Sequence, residues 1–180
     1  MLILEYQGFI KVYFADESGF SLTPCVPYGW QPVNQPIRMT TQKSKRLNTF
    51  GLMTLKNDLT AYTFWGSATA DLIIAFIDDF VQKMTQRTVI VLDNASVHHT
   101  DDFYDKIEEW KQLDVDIFYL SRYSPHLNII ETLWRKIKYE WLHPEDYKNL
   151  QTLEAAIDNI LIKFGTEFSI HFNNEKVSII

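Results

Sequence analysis

The sequence predicts an α/β fold: a mixed sheet of about five strands, the first three antiparallel and the rest parallel, with helices on both faces. Three observations predict it. Up to Trp65 the chain alternates runs of β-branched and aromatic residues with turn signals. From Leu72 the apolar residues switch to helical spacing. Two short apolar runs, TVIVL (88–92) and VDIFYL (115–120), then stand between helical stretches, as buried parallel strands do.

Lys11 to Glu17 (KVYFADE) forms the first strand, and Ser18-Gly19 reads as a turn into Phe20 to Thr23. Pro24, Pro27, Gly29, Pro32 and Pro36 then break regular structure. Asn48 to Leu55 and Thr60 to Trp65 flank Lys56-Asn57-Asp58, a hairpin turn, so the opening is an antiparallel meander. Leu72, Ile73, Ala75, Phe76, Ile77, Phe80, Val81 and Met84 make the first helix, with Thr69 as N-cap. TVIVL precedes a helix over about 101–112. VDIFYL precedes two more, over about 125–142 and 150–164. Ser124-Pro125 fits an N-cap followed by proline at the first helical position. Ile130, Trp134, Ile137 and Trp141 recur as a buried stripe on that helix.

At 180 residues the chain suits one domain, and 46% hydrophobic against 22% charged residues is a globular composition. The net charge of −6 argues against a free-standing, tight nucleic-acid binder, but a nuclease site is itself acidic. A single cysteine, Cys25, excludes a disulfide scaffold and a Cys-rich zinc site. The longest plain apolar run, Leu72 to Ile77, falls far short of the roughly 20 residues of a membrane span. The start, MLILEYQGFI, carries Glu5 and no early Lys or Arg, unlike a signal peptide. The expectation is a soluble, cytoplasmic, nucleoid-associated protein with no membrane partner.

Three carboxylates occupy telling positions. Asp16 is near the end of the first strand, Asp93 directly follows TVIVL, and Glu131 is in the first turns of the helix after VDIFYL. Loops converge at strand C-terminal ends, so Asp16 and Asp93 meet there if their strands are neighbours. Glu131 reaches the same point from the covering helix. Three such carboxylates suit a hard cation with oxygen ligands. Two ions about 3.5–4 Å apart clamp both oxygens of a phosphodiester displacement. Each Asp taken alone is more often a solvated turn residue, and Asp after a buried strand is common because it ends the strand.

The segments FADES, VLDNASVHH and SPHLNIIETLW, in that order, resemble the catalytic domain of DDE transposases. More narrowly they are similar to the bacterial insertion-sequence branch of the mariner-like superfamily, and Gly29-Trp30 to its GW element. The resemblance runs from about Tyr13 to Lys138. Arg122, His126 and Ile129 depart from the family's usual Pro, Asp and Pro. It implies an RNase H-like fold and Asp16, Asp93 and Glu131 as catalytic, metal-binding residues for Mg²⁺, with Mn²⁺ as substitute, at two positions. It further implies cleavage and strand transfer of DNA, both transposon ends and target. Such transposases carry a helix-turn-helix region ahead of the catalytic domain, whereas Met1 lies only about 15 residues before Asp16. The expectation is one catalytic domain over 1–180 without that region, with a separate helix-turn-helix polypeptide and a homodimer as further partners. The alternatives are an RNase H-like nuclease, or an idle transposase remnant that docks DNA or dimerises.

Around the triad, Asn94 either bonds its own turn or orients Asp93. His98 either positions a phosphate or water, or packs; His99 reads as exposed. Asn128 is suited to tie its helix start to the preceding loop, and Trp134 reads as core. Glu17 points away from Asp16 on a regular strand. Trp30 either packs locally or stacks on bases. Arg135 and Lys138 fall within about 40° and 20° of Glu131 on the helix. With Lys43, Lys45 and Arg46 of the most basic stretch, they are the candidate contacts to DNA phosphates.

Overall fold

The computed structural model describes residues 1–25, 33, 45–121 and 124–172. Gly29-Trp30, Arg122 and Lys43 lie outside the described residues.

Five strands build one sheet in the order β3-β2-β1-β4-β5. They are β1 (Lys11–Phe20), β2 (Leu47–Met53), β3 (Leu59–Trp65), β4 (Thr88–Leu92) and β5 (Val115–Tyr119). The first three pair antiparallel, while β4 runs parallel to β1 and β5 parallel to β4. This is the RNase H-like arrangement, and the mixed sheet expected from the sequence.

The hairpin between β2 and β3 turns on Asn57, which adopts φ 67°. Thr54 Oγ1 accepts from the backbone N–H groups of Lys56 and Asp58 and holds the turn closed. The turn expected at Ser18-Gly19 does not form. Instead β1 continues to Phe20, because Ser18, Gly19 and Phe20 pair in register with Thr49, Asn48 and Leu47. Gly19 serves space rather than turning: a Cβ there would overlap the Arg46 guanidinium.

The sheet separates two cores. Val12, Phe14 and Phe20 of β1 meet α4 (Ile130–Lys136) and α5 (Leu150–Ile162) on one face. Tyr13 and Ala15 meet α2 (Ala70–Val81) and α3 (Asp101–Gln112) on the other. Val91 joins the first core and Ile90 and Leu92 the second, which explains why TVIVL is apolar throughout. Thr69 and Thr100 cap α2 and α3, each accepting from the backbone N–H three residues on. A short helix, α1 (Leu2–Tyr6), precedes β1 and carries no sequence signal of its own. No helix among the described residues is long and apolar enough to cross a membrane.

The single helix expected over 125–142 is three pieces. Pro125–Leu127 forms one 3₁₀ turn, α4 follows, and Ile137–Trp141 is a π-helical turn in which Leu142 N–H donates to the Ile137 carbonyl at 3.1 Å. Proline therefore opens the 3₁₀ turn, not α4. Asn128 closes the gap between them, but its tie runs elsewhere than expected. Its buried Nδ2 donates to the Ala15 carbonyl at 3.0 Å, fixing α4 to β1 beside Asp16.

Candidate active site

Side-chain alternation along β1 decides which way its acids face. Asp16, two residues after Phe14, faces α4; Glu17, two after Ala15, faces α3. The parallel pairing of β1 with β4, ending at Phe14 opposite Val91, brings Asp16 and Asp93 to the same end of the sheet.

Asp16 is held by Trp134. The indole Nε1 donates to Asp16 Oδ2 at 3.1 Å, while the ring itself is buried in the α4-side core. Periodicity identified Trp134 as core and missed this second role. Room for the ring comes from Gly51, paired with Asp16 on β2: a Cβ there would stand 2.9 Å from the indole. Burial, followed by the negative charges of Glu17, Asp93 and Glu131, raises the Asp16 pKa from 3.8 to about 7. Of these acids Glu17 is its chain neighbour, and Glu131 lines the same hollow.

Asp93 lies in a different setting. Its Oδ1 accepts from Ala95 N–H at 3.1 Å, an Asx turn that ends β4. It also stands 3.2 Å from His98 Nδ1. His98, in the 3₁₀ turn Ser96–His98, has no exposed side-chain surface, and its Nε2 is 3.5 Å from Glu17 Oε1. The imidazole thus spans two carboxylates from different strands. Tyr119 O–H donates to the His98 carbonyl at 2.7 Å and locks the turn from β5. Burial opposes charging His98, but its pairing with Asp93 and Glu17 outweighs that and raises its pKa to about 9. The bond to His98 in turn lowers that of Asp93. The ring is enclosed between Asp93 and Glu17, so the packing expected for His98 is seen directly. Glu17 faces away from Asp16, as strand alternation predicts, and meets His98 on that other side.

Two adjoining hollows flank the acids. One, of about 840 Å³, is lined by Asp93, Asn94, His99, Tyr104 and Glu131 among others. The other, of about 270 Å³, is lined by Asp16, Glu17, Ser18, Glu131, Trp134, Arg135, Lys138 and Tyr139. Glu131 borders both. Among the described residues no group of three or more His, Cys, Asp or Glu side chains stands close enough together to hold a metal ion. The donor chemistry is that of a hard cation: Asp16, Asp93 and Glu131 offer carboxylate oxygens, and Mg²⁺ or Mn²⁺ needs few of these beside water and substrate phosphate.

Asn94 does not orient Asp93. Its Oδ1 accepts from His99 Nε2, and His99 Nδ1 accepts from Tyr104 O–H at 2.7 Å. His99 is accordingly half-buried against Tyr119, not exposed. Arg135 and Lys138 share the Asp16 hollow with Glu131, as their helical flank predicts. No ion pair joins Glu131 to Arg135 among the described residues; Lys136 and Glu140 make the i,i+4 pair instead. Lys138 lies 5.3 Å over the Phe20 ring, and burial lowers its pKa. Lys45 and Arg46 line a third hollow beyond Ser18.

Comparison with known proteins follows from this geometry. The structure is similar to the Mos1 strand transfer complex (TM-score 0.61, 14% identity, covering 91% of this chain and 52% of that one). It is similar to the Mos1 mariner paired-end complex with Mn (TM-score 0.59, 15% identity, 89% and 52%). It also resembles the catalytic core domain of BIV integrase (TM-score 0.51, 17% identity, 68% and 77%). At these identities the likeness is one of fold, and the chain spans about half the length of the two Mos1 chains. Comparison with curated proteins gives no match. The family model for DDE superfamily endonucleases matches residues 11–154, from the first residue of β1 into α5. With that span taking in Asp16, Asp93 and Glu131 alike, the chain belongs to the DDE superfamily endonuclease family.

Proposed function

We propose that this chain is the catalytic domain of a DDE transposase, cleaving DNA phosphodiesters at transposon ends and joining them to target DNA. Asp16, Asp93 and Glu131 hold Mg²⁺, or Mn²⁺ in its place, at two positions. The observation that carries the reading is the placement of the three acids: Asp16 on β1 and Asp93 just after β4, on neighbouring parallel strands, with Glu131 bordering the hollow beside each. The charges of Asp93 and Glu131 help to raise the Asp16 pKa, a cost that a bound cation would remove.

When bound, the cations supply an activated attacking oxygen and charge stabilisation at the leaving one. The protein's own residues do the rest. Trp134 fixes the Asp16 carboxyl, and His98, backed by Glu17, fixes that of Asp93. Asn128 holds α4 to β1, and so sets where Glu131 stands. Arg135 and Lys138 hold the phosphates beside the scissile one, with Lys43, Lys45 and Arg46 farther along the strand. The reading carries with it a second copy of the chain and a helix-turn-helix region as partners, in a nucleoid-associated setting. The Mos1 strand transfer complex and the Mos1 paired-end complex with Mn support it by analogy of fold.

The test is nicking of supercoiled plasmid and joining of pre-cleaved ends, with Mn²⁺ and with EDTA. Metal-dependent products that vanish in Asp93→Asn are expected. Cleavage of RNA–DNA hybrids with DNA left intact would favour the RNase H-like nuclease, and metal binding without any cleavage the idle remnant.

A further inference from the structure

The hollow beyond Ser18 has a volume of about 770 Å³ and shares Glu17 and Ser18 with the hollow at Asp16. The fold keeps it open. Gly19 leaves space for the Arg46 side chain, and Asn48 Nδ2 donates to the Gly66 carbonyl, pinning the loop that follows β3. Gly66 itself adopts φ 103°, a conformation that glycine takes without strain.

Its lining is chemically mixed in an informative way. Trp65, at the end of β3, is 42% exposed. Lys45 and Arg46 stand beside it, and neither is in an ion pair among the described residues. The one acid in the wall, Glu17, has its carboxylate turned to His98 at 3.5 Å. A bare anion would leave the indole unused, and an apolar ligand would leave both cations unanswered. A nucleotide offers a flat base and a phosphate together. In a duplex the base faces are stacked on one another, so the base that reaches Trp65 is an unpaired one.

We infer that this hollow binds an unpaired nucleotide of the DNA strand next to the scissile phosphate, its base on Trp65 and its phosphates on Lys45 and Arg46. The inference rests on the function proposed above and deepens it by assigning single-stranded character to the flank of the substrate. The shared wall of Glu17 and Ser18 makes the path from the carboxylates to Trp65 continuous.

The experiment compares a blunt duplex with the same duplex carrying a three-nucleotide overhang that contains 2-aminopurine. Binding is read by anisotropy and stacking by 2-aminopurine quenching, with melting curves to confirm that each variant folds. The wild type is expected to prefer the overhang and to quench the probe. Trp65→Ala should weaken overhang binding by about 5- to 100-fold, while Trp65→Phe keeps most of it. Blunt-duplex binding should change little in either. Paired Lys45→Gln and Arg46→Gln changes should weaken both DNAs and flatten the salt dependence. Equal wild-type affinity for the two DNAs, absent quenching, or a Trp65→Ala effect under twofold would overturn the inference. Plasmid nicking is scored separately. Lost nicking with overhang preference intact fails the transposase reading alone, and intact nicking without that preference fails only the Trp65 subsite.

Discussion

Asp16 is aimed by an indole and Asp93 by an imidazole, and the difference in partner decides the charge each carries. Trp134 offers Asp16 one neutral donor, inside a buried setting crossed by the fields of three other carboxylates. The acid therefore keeps its proton up to about pH 7. Asp93 is half-exposed and faces a histidine that is itself charged up to about pH 9. That acid ionises more readily than usual. Two carboxylates on neighbouring strands thus lessen their mutual repulsion in the metal-free protein, one by staying neutral and the other by pairing. Each solution is built from residues of a different layer: α4 supplies Trp134, while the turn after β4 supplies His98.

The largest expected effect comes from closing the space that lets the indole reach Asp16. Gly51→Ala puts a methyl against the Trp134 ring and should destabilise by about 1–3 kcal/mol, as overpacking does. For a chain of this size that lowers the melting temperature by about 3–10 °C. An unchanged melting curve would mean that the ring moves away freely.

Exchanging the acids one at a time sharpens the contrast. Asp93→Asn leaves a buried, charged His98 short of a partner and should lower stability by about 1–2 kcal/mol in EDTA. Asp16→Asn removes a carboxyl that is already neutral at moderate pH, so its melting temperature should stay level or rise. Equal losses in the two variants would erase the distinction drawn here.

The pH dependence separates the two halves further. The folded pKa of Asp16 lies above the unfolded one, so the folded state holds an extra proton between about pH 4 and 7, and stability falls with rising pH across that window. His98, raised from 6.5 to about 9, adds stability below 6.5 that is lost as pH rises through 9. Asp93, lowered, adds stability above 3.8 that is lost only in acid. Metal-free protein should therefore melt lower at each step from pH 5 to 9. In Asp16→Asn the fall below pH 6.5 should disappear and the later one remain. A melting temperature that climbs over this range would contradict both assignments.

The smallest effect is expected on the cationic flank. Replacing Arg135 and Lys138 with Gln should leave the melting temperature within about 2 °C, since surface changes are usually small. It should weaken metal-dependent DNA binding and flatten its salt slope by up to two phosphate contacts. Unchanged affinity and slope would make that flank only a helix face.

Much of this arrangement was legible in the sequence because it is local. The period change after Trp65, the Asn57 hairpin, the capped helices and the apolar β4 run each follow from residues within one element. That β1 and β4 lie side by side also followed once the parallel crossover was inferred, although β1 runs four residues past Asp16 to Phe20. What escaped depends on partners far along the chain. Ser18-Gly19 has turn chemistry, but antiparallel pairing with Asn48 and Thr49 keeps it extended. The π-helical turn at Ile137–Trp141 contains neither Gly nor Pro to announce it. Trp134 fits the buried stripe perfectly well, and nothing in a periodicity tells that its N–H is spent on Asp16. Glu17 was set aside by a correct strand alternation, since the residue waiting on its side, His98, lies 81 positions away.

The most direct measurement of the central claim is the proton released when Mn²⁺ binds. Titration calorimetry at pH 6.5, in two buffers of different ionisation enthalpy, counts it. If Asp16 holds the proton and the cation takes its place, roughly 0.75 proton should leave per chain on saturation in the wild type, as expected for one group titrating near 7. Asp16→Asn should release almost none. No release from the wild type, or the same release from both proteins, would contradict the account.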